Sequence, residues 1–337
     1  MSWITETAAL YDEIKEKVNN SDEWEPILPL YHSTGNAQIQ VTIFSDGTFS
    51  HAEVVDADDA KTIIPVTEDS SSRSSGIAPH PLCDKLIYIS GDYSTYVAKA
   101  KSNADEYFVT YIKALKAWAE SEYSDICITA IYDYLSKRML INDLIGDGIL
   151  KLKDAVLDEE YKITKSVKQI DSFVRFVVND LDSGENIKVW KSKVLFDKYI
   201  AYYESLGKKR DCQLCYASGK IVPVTYKHMA RIRNSGDSAK LISSNDDSNF
   251  TYRGRFANRE EAFAVGEIVS QKAHLALRWL IKTGGISVGD EKYVAWESRL
   301  NEIPNVFGRI VLDESENSGS FVKDKDDKVY AKTAEQY

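Results

Sequence analysis

The chain has 337 residues, 43% hydrophobic and 28% charged, with seven prolines. That is globular composition, with length for one large domain or two smaller ones. The net charge of −10 argues against indiscriminate binding to DNA or to an anionic membrane.

The opening "MSWITETAALYDEIKEKV" has no basic segment leading into an apolar core, so no secretory leader is expected. No run of about 18 apolar residues reads as a membrane span. Cys83, Cys127, Cys212 and Cys215 are too few for a disulfide scaffold, which fits a reduced cytoplasm. The charge is unevenly spread. Residues 208–259 carry 11 Lys and Arg against four Asp, a local balance of +7, while the remainder carries 31 cations against 48 acids, or −17. Local sign matters more than the total when the partner is a polyanion.

In chain order, Ala8, Leu10, Tyr11, Ile14 and Val18 share one face of a predicted helix, with Thr5 placed to cap it. "AQIQVTIFSDGTFSHAEVV" alternates as two strands around Ser45-Asp46-Gly47, a hairpin. "KTIIPV" predicts a further strand. The polar loop "TEDSSSRSSGIAPHP" follows, then a short apolar run. Residues 96–146 are strongly helical, with apolar stripes in "EYFVTYIKALKAW" and "DICITAIYDYLSKRML". "SFVRFVV" predicts a buried strand from Ser172 to Val178, and "VWKSKVLFDKYIAYYESLG" a helix ended by Gly207. "REEAFAVGEIVSQKAHLALRWLIKTGG" reads as one long helix ended by Gly284 and Gly285, and "KYVAWE" as a strand. The tail after Gly308 is polar and acidic. This mixed order predicts an α+β fold: mixed strands with long helices, a Cys-x-x-Cys turn and a basic loop region. Four segments are expected. They are a β-rich 1–95 with the Ser/Arg loop, a mainly helical 96–206, a Cys/basic 207–308, and a mobile tail 309–337; alternatively all close into one domain.

Three constellations invite chemistry. Cys212 and Cys215 precede His228 at the spacing of half a zinc finger, but Ile232, Arg233 and Asn234 stand where a fourth ligand belongs. The alternative is two ordinary cysteines in a turn. The loop around Arg73 sets five serines beside Arg73 and Gly76; small residues let a backbone approach a phosphate, and hydroxyls suit its oxygens. A surface loop is the alternative. The basic stretch interleaves Lys227, Arg231, Arg233, Lys240, Arg253, Arg255 and Arg259 with Asn234, Asn245, Asn249 and Asn258, and with Phe250, Tyr252 and Phe256. Cations bind backbone, Asn and Arg read base edges, and aromatics stack on bases; a solvated loop balancing the acidic remainder is the alternative. No Walker loop, His-Glu-x-x-His or Gly-x-Ser-x-Gly occurs.

Three blocks in this order resemble the large subunit of the type I-C CRISPR surveillance complex (Cascade). "RSSGIAPHPLCDKLIYISGDY" is similar to that family's Arg-Thr-Ser-Gly-Ile-Ala-Pro signature, with Ser74 where Thr is common. "CQLCYASGKIVPVTYKHMARIRNSGDSAKLISSNDDSNFTYRGR" resembles its Cys-x-x-(Ser/Thr)-Gly turn, basic segment and Ser-rich run ending in an aromatic. "REEAFAVGEIVSQKAHLALRWLI" with "ISVGDEKYVAWE" is similar to its late helix and closing Trp strand. "LPLYHSTGNAQIQVTIFSDGTF" fits its opening strands. The resemblance covers about residues 1 to 300, and the family's usual C-terminal helical portion is not matched.

The resemblance implies a non-enzymatic subunit without cofactor. Such a subunit sits in a guide-RNA ribonucleoprotein beside its handle-binding and backbone subunits. It reads the protospacer-adjacent motif in double-stranded target DNA, helps to open the strands, and presents the complex to a helicase-nuclease. Arg73, Ser74, Ser75 and Gly76 with the segment from Lys227 to Arg255 would approach the duplex. Lys227, Arg231, Arg233 and Lys240 would contact phosphates, with Arg253 and Arg255 beside them. Asn234, Ser235, Asn245 or Asn249 would reach base edges, and Phe250 or Tyr252 would wedge where the strands part. Two rivals stand beside this reading. One is a scaffold whose basic segment binds the guide-RNA handle or a neighbouring subunit without touching target DNA. The other is a zinc enzyme at Cys212, Cys215 and His228.

Overall fold

The computed structural model describes residues 2–18, 26–71, 73, 76–207, 212–234, 237, 239–242, 256–262 and 264–297. Helix α1 (Trp3–Val18) buries Ile4, Leu10, Tyr11, Ile14 and Val18 along one stripe. Thr5 lies inside its first turn rather than capping it, and donates its N–H to Ser2 O at 3.0 Å. Four strands follow: β1 (His32–Asn36), β2 (Ile39–Phe44), β3 (Phe49–Val54) and β4 (Lys61–Pro65). The β2–β3 hairpin turns at Gly47 as its sequence requires. β1 leaves the hairpin to pair antiparallel with β4.

The apolar run after the Ser/Arg loop folds as short helical turns. α2 (Glu68–Ser71) is a single turn in the loop ahead of Arg73, and α3 (Leu86–Ile89) and α4 (Tyr93–Tyr96) are single turns in the run that follows. Then come α5 (Ala104–Ala119), α6 (Ile126–Ser136) and α7 (Leu140–Gly146). Asp125 caps α6, its side chain accepting the Cys127 N–H at 3.1 Å. A small hairpin, β5 (Leu152–Lys153) and β6 (Val156–Leu157), leads to β7 (Val174–Asn179) and β8 (Asn186–Lys188).

β2 and β7 are the central strands of a four-stranded sheet in the order β3-β2-β7-β8. They pair parallel, Ile39 opposite Val174 through Phe44 opposite Asn179. A parallel pair needs a long crossover, and helices α3 to α7 lie within it. Both strands are buried at five of six positions, as a sheet interior shielded on both faces demands. The one charge in β7 is fully accommodated. Arg175 donates to Gln40 Oε1 (3.0 Å), Asp59 O (2.6 Å) and Asp59 Oδ2 (2.5 Å), with its guanidinium 3.8 Å from the centre of the Trp190 ring.

Helix α8 (Lys193–Gly207) ends at its glycine. β9 (Cys212–Leu214) and β10 (Ile221–Thr225) form the Cys hairpin. The predicted long helix from Arg259 is divided in three: α9 (Arg259–Ala262), β11 (Val265–Gly266) and α10 (Glu267–Gly284). Sheet pairing makes the break. Val265 and Gly266 pair with Thr225 and Val224 of β10, which removes them from any helix. Last is a hairpin of β12 (Ile286–Val288) and β13 (Glu291–Tyr293).

The architecture is α+β. The main core joins the four-stranded sheet to α3, α5, α6, α7 and α8. A second cluster sets Leu10, Tyr11 and Ile14 of α1 against Leu275, Ala276 and Trp279 of α10. The ends of the described chain are therefore packed on each other. Among the described residues no helix is long and apolar enough to cross a membrane.

Candidate nucleic-acid interface

Arg73 follows α2, and its fork closes on one carboxylate. Nη1 donates to Asp84 Oδ2 at 2.7 Å and Nη2 to Asp84 Oδ1 at 2.6 Å, while Nη1 also reaches Ala78 O at 2.9 Å. The guanidinium lies 4.4 Å from the centre of the Tyr88 ring. Asp84 is 0% exposed and also accepts the N–H groups of His80 (2.7 Å) and Lys85 (2.8 Å). A buried carboxylate is tolerable only when paired and fully hydrogen-bonded, as here. Arg73 and Asp84 thus clip the two ends of the "RSSGIAPHPLCD" loop together. Gly76 is exposed on that loop; Ser74 and Ser75 lie outside the described residues.

Helix α2 couples this loop to the basic segment. Glu68 Oε1 accepts the Thr225 hydroxyl, and Asp69 pairs with Lys227. From β10 the chain runs through His228 to Arg231, then returns so that Ala230 bridges Lys240 antiparallel. Lys240 is half-buried and without an ion pair among the described residues. Burial, and after it the charge of Lys227, holds its ammonium below the ordinary lysine value. Arg231 is exposed, likewise without an ion pair, and takes φ of 60°. That left-handed conformation costs a non-glycine residue about 1–2 kcal/mol, and such strain collects at functional sites.

These groups line one cleft of about 230 Å³. Arg73, Lys227, Arg231 and Lys240 enter it from the two predicted constellations, and Arg278 enters from α10. Glu68 and Glu267 are the acids on its wall. Its floor includes His228, whose Nδ1 lies 2.8 Å from Ser270 Oγ. Burial first, then His274 and Lys240, push the His228 pKa down to about 3, so the ring is neutral near pH 7. The cleft is a cationic hollow suited to phosphate oxygens.

The remaining predicted residues are placed differently. Arg233 turns away, donating to Asp237 Oδ2 (2.7 Å) and Asp290 O (3.1 Å) beside the β12–β13 turn. Asn234 is exposed next to it. Ser235, Asn245, Asn249, Phe250, Tyr252, Arg253 and Arg255 lie outside the described residues. Sequence reasoning missed the acids that organise the cleft, Glu68, Asp69 and Asp84. Asp84 left a faint signal, since a lone acid in "GIAPHPLCD" is an obvious partner for the lone arginine eleven residues before it.

The cysteines hold a turn. Cys215 Sγ accepts N–H groups from Gly266 (3.1 Å) and Ser218 (3.4 Å), and Gly219 N–H donates to Cys215 O at 2.8 Å. Burial pushes the thiol pKa up, but the Ser218 hydroxyl and the N–H donors outweigh it and hold the value below ordinary. Cys212 is exposed on β9, and His228 faces Ser270. Among the described residues no three His, Cys, Asp or Glu side chains are grouped to hold a metal ion.

No curated protein matches the chain. The model of one family, Cas_Csd1, described as a CRISPR-associated protein, matches residues 9–336. The match extends past the limit near residue 300 of the block resemblance and takes in both the Arg73 loop and the basic segment. The chain belongs to the Cas_Csd1 family of CRISPR-associated proteins and is a component of a CRISPR system.

Proposed function

We propose that this chain is the non-catalytic DNA-recognition subunit of a type I-C guide-RNA complex. In this reading it detects the protospacer-adjacent motif in duplex DNA and helps to part the strands for guide pairing. The observation that supports it is the convergence of Lys227, Arg231 and Lys240 with the Arg73 loop on one cleft. Two of these cations, Arg231 and Lys240, have no acidic partner among the described residues, and unneutralised cations at a hollow are what a phosphate backbone requires. Arg73 keeps the Ser/Gly loop in shape through Asp84, so that Gly76 and its neighbours can approach the backbone of the duplex. Asn234, Ser235, Asn245 or Asn249 then reads base edges, and Phe250 or Tyr252 wedges at the first opened pair. Arg233, Arg253 and Arg255 add phosphate contacts, and sequence beyond the motif is read by the guide.

The test is gel-shift binding of guide-loaded complex, with and without this chain, to duplexes that differ only in the flanking motif. Motif-dependent binding conferred by the chain and lost in Arg231→Ala with Lys240→Ala supports the reading. Binding indifferent to the motif and to both substitutions overturns it in favour of a scaffold whose positive charge meets guide RNA or a neighbouring subunit.

A further inference from the structure

Lys227 lines the basic cleft, yet its charge is already met from outside it. Asp69 of α2 pairs with the Lys227 ammonium and is not itself among the lining residues. We propose that Asp69 is a built-in counter-charge, which stands in for a DNA phosphate at Lys227 and gives the lysine up when a duplex docks. It thereby sets how tightly the cleft grips any duplex. The proposal rests on the reading of the cleft as the duplex-binding surface and concerns the regulation of that surface.

Three observations support it. The first is crowding of like charge. Lys227 lies near enough to Lys240 to depress its pKa, second only to burial. Two neighbouring ammonium groups repel, and Asp69 relieves that repulsion while no polyanion is present. The second is access. The Lys227 side chain is 42% exposed and that of Asp69 is 69% exposed. A pair this open to water is weak and readily exchanged. Phosphates seated in the cleft would meet Lys227 together with Arg231 and Lys240, whereas Asp69 answers Lys227 from one side, so exchange favours the duplex.

The third is that the acid is held in place. Thr67 and Ser70 cap each other across α2, the Thr67 N–H donating to Ser70 Oγ at 2.9 Å and the Ser70 N–H to Thr67 Oγ1 at 3.1 Å. The Glu68 N–H donates to the Tyr203 hydroxyl at 3.0 Å, which fixes the turn to α8. Glu68 Oε1 accepts the Thr225 hydroxyl, so α2 stays on β10 when Asp69 lets go. Asp69 is therefore a fixed charge at the rim and returns to Lys227 when the duplex leaves. The counter-charge opposes every phosphate backbone alike, so it lowers grip without altering motif preference.

The experiment is a gel shift of guide-loaded complex on duplexes with and without the motif, across a salt series. A thermal melt checks that each variant is folded. Asp69→Asn keeps the side chain's shape and removes its charge. It is expected to tighten binding to both duplexes about two- to fivefold, the worth of an exposed ion pair. The gain should fade as salt rises, and Asp69→Glu should behave as the unaltered chain. In a Lys227→Ala background Asp69→Asn should change nothing, because the effect runs through that pair. Weaker or unchanged binding in Asp69→Asn overturns the proposal, and weaker binding would make the pair a support that presents Lys227. A gain that persists without Lys227 overturns it as well, in favour of a general effect of net charge. Arg231→Ala with Lys240→Ala is run beside these variants. If that double substitution weakens binding and Asp69→Asn brings no gain, only the counter-charge falls. If the double substitution leaves binding unchanged, the cleft is not the duplex surface and both readings fall.

Discussion

Asp84 illustrates how one side chain can shape a loop that reads as featureless polar sequence. Its carboxylate is buried and takes four donors, two from Arg73 and two from backbone. Removing it leaves the Arg73 guanidinium unpaired beside Tyr88. Asp84→Ala is therefore expected to destabilise the chain by about 3–5 kcal/mol, the penalty for breaking a buried pair. Denaturant unfolding checks this, and a double substitution with Arg73→Met should recover part of the loss. The buried histidines make a separate prediction. Burial lowers His32 to about 4 and His80 to about 4, and His228 to about 3. Their folded values lie below the unfolded value of 6.5. The stability they confer is complete above pH 6.5 and is lost as pH falls toward the folded values. Each costs about 1.4 kcal/mol per pH unit in that window. A thermal melt series should show the midpoint falling from pH 6.5 to pH 5, before ordinary carboxylates titrate.

Elements here are decided by contacts that a local pattern carries only in part. The β2–β3 hairpin was legible because alternation and Asp46-Gly47 agree with each other. Gly47 sits at φ 76°, and a Cβ there would lie 2.9 Å from Asp133 Cβ and 3.1 Å from Tyr134 N on α6. Gly47→Ala should thus cost about 1–3 kcal/mol, through strain and overpacking together, measured by chemical unfolding. The division of the predicted helix from Arg259 was not legible, since "AVGEIV" carries no breaker beyond one glycine. Gly266 lies against β10, where a Cβ would come 2.8 Å from Val222 Cγ2, and its N–H serves Cys215. Strand pairing with β10 overrides helix propensity there. Helices α1 and α10 depend on each other. Ile14 is 0% exposed in their shared cluster, so Ile14→Ala should lose about 2–5 kcal/mol and unfold both helices in one transition.

At the scale of the molecule, an acidic protein concentrates positive charge where the fold leaves a hollow. Lys227 and Lys240 are brought side by side, which lowers the Lys240 pKa after burial has done so. Such an arrangement raises the folding cost slightly and is relieved by a polyanion. If the cleft grips duplex phosphates, Arg231→Ala combined with Lys240→Ala should weaken all sequences alike. The slope of log affinity against log salt should fall by about two, one for each phosphate contact. A salt titration of the guide-loaded complex measures it; an unchanged slope would remove these two residues from the interface.

Periodicity by itself determined the helices α1, α5, α6 and α8, the β2–β3 hairpin, the buried strand β7 and the α+β class, because those patterns are local and unambiguous. Charge counting located the basic stretch, and the order of several short blocks indicated the family. Only the tertiary structure decided which cations share a space. Arg73 and Lys240 are far apart in the chain and meet because α2 is tied to β10 through Glu68 and to Lys227 through Asp69. Closure also carried the Arg233 fork to the Asp290 carbonyl and away from the cleft. Side-chain partners across long sequence separations are set by packing, and no spacing rule reports them.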